Sequence, residues 1–126
     1  MSRSIGKLVR EQGAKELRLA EVTDFQWEQV YLFGPYTPRT SVCNTLGVQA
    51  KYCERVVPFE STDDGEMSLA FLADGRVVRY VPHSRWNGDF TPVPTAQPLA
   101  RANAIFRVVQ DGTAANGKPW LKLSQK

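Results

Sequence analysis

Residues 67–81 read MSLAFLADGRVVRYV. Two runs of strand-forming residues, 67–73 and 76–81, are separated by the dipeptide Asp74-Gly75. A two-residue hairpin loop needs positive φ at both central positions, which Asp and Gly tolerate best. The stretch therefore predicts an antiparallel hairpin, entered through the polar loop STDDGE (61–66). Downstream, residues 82–98 carry prolines at 82, 92, 94 and 98 together with Asn87-Gly88. That composition predicts an irregular loop, too rich in Trp86 and Phe90 to be a free linker.

Upstream, residues 25–38 read FQWEQVYLFGPYTP. Thr23 and Asp24 form a turn before them. From Trp27 to Phe33 the residues are strand types. One face carries Trp27, Gln29, Tyr31 and Phe33, the other Glu28, Val30 and Leu32. Both faces become apolar toward the end, which predicts a strand covered on two sides. Gly34 and Pro35 stop it. A short helix is expected at 39–47, with Val42 and Leu46 on one side and Gly47 near its end. A second helix is expected at 4–14, where Ile5, Leu8 and Val9 have helical spacing and Ser4 can cap the start. The even spacing of Trp27, Tyr31 and Phe33 predicts that all three face that helix.

The remaining elements are weaker. LRLAEV (17–22) is a weak strand or an extended connector, and 99–104 is ambiguous. NAIFRVVQ (103–110) and WLKLSQ (120–125) form a second hairpin across a long turn at 111–119. The order of elements predicts a single α+β domain over residues 1–126, an antiparallel sheet of four or five strands with one or two helices on one face.

Phe25-x-Trp27-Glu28-x-Val30-Tyr31-x-Phe33-x-Pro35-Tyr36-Thr37, followed by Leu46-Gly47, resembles a pattern in small bacterial proteins of unassigned function. Those proteins read roughly F-x-W-D-x-V-Y-x-F-x-P-Y-T before a short helix ending in Leu-Gly, and they too have a later Asp-Gly or Asn-Gly hairpin. The resemblance spans about residues 17–90. It implies no activity; some such proteins look like exported lipoproteins, others like small cytoplasmic companions of secreted toxins. Glu28 stands where the pattern has Asp, and if that Asp caps a turn, the longer side chain would do so less well.

A chain of 126 residues, 42% hydrophobic and 23% charged, is long enough to bury its own core without a metal or disulfide. The net charge of +3 is small and its charges are interspersed, unlike the basic stripe of a dedicated nucleic-acid binder. No segment approaches the roughly 20 apolar residues of a membrane span. The first residues show no signal peptide, so a cytoplasmic location is the default, or a periplasmic or lipoprotein one if an export signal has been removed. Cys43 and Cys53, with a single histidine, cannot make a four-ligand zinc site. They could pair in an oxidising compartment; without a mark of export, free thiols are expected.

No catalytic motif stands out, and neither a cofactor nor a metal site is expected. The adjacent acids Asp63 and Asp64 are turn formers. His83, after Pro82 at a strand end, is expected to be an exposed polar residue. Two function classes remain. The first is a non-enzymatic protein-binding protein, of the kind of an immunity protein that inhibits a toxin. It would contact an acidic partner surface through Arg79, Arg85 and Trp86, with Tyr36 and Arg39 as further contacts. Prolines would hold the loop in few conformations, and Trp and Arg dominate interface hot spots. The alternative is a nucleic-acid-binding or small hydrolytic protein that uses His83, Arg85 and the 79–90 loop, where Arg79, Tyr80, His83, Arg85, Trp86 and Phe90 interleave basic and aromatic side chains.

Overall fold

A computed structural model describes all residues, 1–126. The chain begins with α1 (Ser2–Gly6), which widens into π-helical turns over Lys7–Glu11. It continues through β1 (Glu16–Arg18), β2 (Gln29–Phe33), α2 (Arg39–Leu46), a 3-10 turn (Ala50–Tyr52) and α3 (Cys53–Val56). The rest is strand: β3 (Glu66–Ala73), β4 (Arg76–Ser84), β5 (Leu99–Ala100), β6 (Ile105–Thr113) and β7 (Pro119–Gln125). The α+β class and the antiparallel pairing expected from the sequence hold. The strands divide between two antiparallel sheets, ordered β4-β3-β2-β5 and β1-β6-β7.

The layering follows from the alternation of β2 and β3. Met67, Leu69 and Phe71 point to one side of β3, with Val30 and Leu32 of β2 beside them. That side meets Leu17, Phe106 and Leu123 of the other sheet, and Ile5 and Val9 of the N-terminal helix close the layer. Ala70, Leu72 and Phe33 point to the opposite side, where Val42, Cys43, Cys53 and Val57 cover them. The four-stranded sheet is thus the middle layer, with a sheet on one face and α2–α3 on the other. This is why Met67 to Leu72 is buried at every position rather than at alternate ones.

The aromatic stretch is split by the same geometry. Trp27 precedes β2 and lies in the inter-sheet core, edge-on to Phe71 at 4.9 Å, with its indole Nε1 donating to Thr23 Oγ1. Phe25 meets the same Phe71 ring at 5.1 Å. Tyr31 and Phe33 stack on each other at 5.9 Å in the second core, under α2–α3. The expectation that all three aromatics face the N-terminal helix is therefore corrected for Tyr31 and Phe33, whereas Trp27 shares the core that the helix closes on the Val30–Leu32 side.

Three local expectations resolve cleanly. Asp74 and Gly75 both have positive φ, 52° and 72°, as the hairpin requires. Glu28 Oε1 accepts the Asp74 N–H at 2.7 Å, so the longer carboxylate caps the neighbouring hairpin turn. Gly47 ends α2 in the left-handed region at φ 70°. The N-terminal helix begins at Ser2, earlier than predicted, and no side chain caps it. Ser2 Oγ accepts from the Ser84 N–H and the Asn87 side-chain amide, which fastens the helix to the end of β4.

The cysteines are not free. Cys43 and Cys53 form a disulfide that fastens α2 to α3 over the second core. The expectation of free thiols failed because nothing local in the sequence shows that the turn at 47–52 folds the two positions together.

Candidate functional site

The loop 61–66, the turn 85–91 and the start of β7 meet on one side of the molecule. At their centre is Asp89, 0% exposed. Arg85 forks onto it, Nε to Oδ1 and Nη2 to Oδ2, both at 3.0 Å. Thr91 donates to Oδ1 from its backbone N–H at 2.9 Å and its hydroxyl at 2.7 Å. Trp120 Nε1 donates to Oδ2 at 2.9 Å, and the Lys122 ammonium is 3.4 Å away. Burial alone would raise the Asp89 pKa. The hydrogen bonds from Arg85, Thr91 and Trp120 outweigh it and hold the carboxyl well below the usual carboxylate range. The same residue exchanges backbone hydrogen bonds with Leu121 and Leu123, so it pins the 85–91 turn to β7.

Around this node runs a ladder of cations and indoles. Arg85 lies 5.6 Å from the Trp120 ring, Trp120 lies 6.0 Å from Trp86, and Arg10 stacks on Trp86 at 3.4 Å. Arg10 also donates from Nε to the Trp86 carbonyl and from Nη2 to the Pro119 carbonyl at 2.9 Å. It has no carboxylate partner, and burial lowers its pKa. Arg85 is the reverse: its hydrogen bonds to Asp89 raise its pKa.

The seam extends through Asp64. Arg85 Nη1 donates to the Asp64 carbonyl at 2.7 Å. Interaction with the Asp64 side chain is the main cause that raises the pKa of the Tyr36 phenol. Tyr36 is 55% exposed and has a φ of 65°, in the left-handed region that a tyrosine rarely occupies. Thr37 Oγ1 donates to the Gly34 carbonyl at 2.7 Å and closes the turn that presents it. Arg39, at the start of α2, donates to the Val57 and Pro58 carbonyls at 2.7 and 2.9 Å, so its fork secures the chain leaving α3.

Of the five residues predicted to bind a partner, Tyr36, Arg85 and Trp86 join this seam. Arg39 stands next to it, committed to internal carbonyls. Arg79 lies apart, on the outer strand β4 over the Phe25 ring at 4.8 Å, and donates to the Val78 carbonyl. It protects an exposed strand edge, as do Pro82 and the irregular pairing between Phe71 and Leu72.

His83 corrects its expectation. It is 1% exposed, packs on Phe90 at 5.0 Å, and its Nε2 meets the Gly88 carbonyl at 2.6 Å. Nδ1 has no partner. Burial lowers its pKa to about 4, against the raising effect of the Gly88 carbonyl. The strand alternation of β4 continues past Pro82 and turns this histidine into the core. The other groups of the 79–90 loop are also engaged internally: the Tyr80 hydroxyl donates to Ser68, and Phe90 packs edge-on to Phe106.

Sequence reasoning missed Asp89, Trp120 and Arg10. Asp89-x-Thr91 is a legible local turn, since a carboxylate often accepts from the N–H two residues on. Nothing local links it to Trp120, or Arg10 to Trp86 across 76 positions. No protein-family model, curated protein or solved structure matches the chain.

Proposed function

We propose that the protein acts by binding another protein rather than by catalysis, through the seam that runs from Tyr36 past Asp64 to Trp86. The observation that carries this reading is Tyr36. A large aromatic side chain stands exposed on a closed turn, held in a backbone conformation that costs free energy. Strain of this kind persists where presentation of the side chain is useful. Tyr and Trp are the residue types that anchor interfaces, because they offer much contact area for little lost rotamer freedom. The narrower reading is an immunity protein that covers a cognate toxin. It draws on the resemblance of the 25–47 pattern and on this rigid, mixed-charge face. The disulfide favours an oxidising compartment for the encounter over the cytoplasmic default. No helix is long and apolar enough to cross a membrane.

Site-specific photocrosslinking tests the proposal. A benzophenone amino acid at position 36, in cells of the source organism, is expected to give one discrete protein adduct. The same group at Gln110, on the exposed end of β6, is expected to give none. Identical adduct patterns from both positions would defeat the assignment.

A further inference from the structure

Arg3, Lys7 and Arg10 follow one another at helical spacing on one face of the N-terminal helix. With Gly6, Glu11, Trp86 and Asn87 they line a groove of about 390 Å³. The helix is pressed against the groove floor: a Cβ on Gly6 would come within 2.5 Å of the Asn87 amide oxygen. The helix backbone is therefore seated on the 85–88 turn, where Ser2 also bonds Ser84 and Asn87. Arg3 and Lys7 are exposed, and no carboxylate lies within ion-pair distance of Arg3, Lys7 or Arg10. Arg10 is oriented by its stack on Trp86 and by two carbonyls, which leaves Nη1 without a partner.

We propose that this groove seats an acidic segment of a protein partner. Its carboxylates would pair with Arg3, Lys7 and the free edge of the Arg10 guanidinium, and its stem would lie on Trp86. The inference rests on the binding function proposed above and names the chemistry of the partner. The charge lacking here is the one that Asp89 supplies to Arg85 on the other half of the ladder. An acidic protein segment fits better than a nucleic acid. The groove is short, Glu11 is part of its lining, and the loop with Asp63 and Asp64 lies next to the Arg85 end. A run of phosphates extending beyond the groove would meet those carboxylates, whereas a peptide places charge only where it is needed. The Arg side chains suit this role because the guanidinium fork matches a carboxylate.

The test uses the whole protein, labelled with nitrogen-15, and blocked hexaglutamate as the probe at low salt. Hexaglutamine and a single-stranded oligonucleotide of similar charge are run beside it. The expected result is saturable hexaglutamate binding. Shifts should be confined to the N-terminal helix and the Trp86 indole, with no response to hexaglutamine. Arg3→Glu/Lys7→Glu should weaken the binding by about tenfold or more, since close like charges oppose association. Lys51→Glu/Arg55→Glu, a basic pair elsewhere on the surface, should leave it unchanged. Both variants alter exposed side chains, and a thermal melt verifies that they fold. The proposal is overturned by unaltered affinity in the folded Arg3→Glu/Lys7→Glu protein, by shifts spread over every basic patch, by absence of binding, or by tighter binding of the oligonucleotide. If the groove fails while position 36 still crosslinks a discrete partner, only the partner chemistry is lost. Failure at position 36 removes the binding reading itself.

Discussion

Two arginine–tryptophan stacks lie side by side, and they are built in opposite ways. Arg85 beside Trp120 is saturated. Its fork is filled by a fully buried carboxylate that also collects Thr91, Trp120 and Lys122. Arg10 over Trp86 is open. It is oriented by carbonyls and an indole, has no counter-ion, and faces a groove. The same pair of residue types thus serves as a structural clamp in one place and as an available cation in the other. What separates them is whether an acid is within reach. A buried charge must be neutralised inside the fold, whereas a half-buried one can remain for a partner.

Removing the acid is the strongest way to break the comparison. Asp89→Ala leaves Arg85 and Lys122 with an uncompensated charge beside a half-buried indole that has lost its acceptor, and should cost about 3 kcal/mol. Arg10→Met keeps the apolar stem on Trp86 and should cost only about 1 kcal/mol. Urea unfolding of the two variants measures the contrast; equal midpoints would mean that the clamp is no clamp.

Acid titration sharpens it further. His83 is held neutral, so the unfolded chain takes up its proton first. Its contribution is complete above pH 6.5, declines as pH falls from 6.5 toward about 4, and is then lost. The loss should be up to about 3 kcal/mol, from 1.36 kcal/mol per unit. Asp89 behaves as a depressed carboxyl. Its stabilisation is complete above the ordinary carboxylate pKa and is lost only below it, at more acid pH than the His83 phase. Urea midpoints against pH should therefore fall in two phases, and His83→Gln should remove the first. A single phase below pH 4 in the parent protein would refute the buried neutral histidine.

The disulfide is the next smaller effect. A link between positions 10 apart should contribute about 2–3 kcal/mol by restricting the unfolded chain. Reduction should lower the urea midpoint accordingly, and denatured, unreduced protein should titrate no thiols. Two thiols per chain would contradict the covalent fastening of α2 to α3.

The smallest change is at Tyr36. Glycine accepts the left-handed backbone at no steric cost, so Tyr36→Gly should raise the melting temperature by about 4 °C and, on the binding function proposed above, weaken partner capture. Lower stability would show that the exposed ring is structural after all.

Much of the fold is legible in local chemistry. Asp74-Gly75 fixes a hairpin because few other residue pairs accept two positive φ angles in succession. The two apolar faces at the end of the 27–33 stretch already predict cover on both sides of that strand. Gly47 ends a helix where a glycine can take the left-handed turn. Tyr36 and Trp86 stand out by residue type alone, and the structure leaves Tyr36 exposed and sets Trp86 between Arg10 and Trp120.

The rest is non-local. Strand alternation places Tyr31 and Phe33 on one side and Val30 on the other, but only the packed sheets decide which layer each side meets. Pro82-His83 reads as a strand end, and the tertiary structure carries the strand on and buries the imidazole. The partners of Asp89 come from 31 and 33 positions away as well as from its own turn, and Arg10 meets Trp86 across 76. Residue type and spacing act over a few positions, so they determine which elements form. Charge neutralisation, disulfide pairing and burial depend on which elements come to lie against each other, and only the assembled layers settle that.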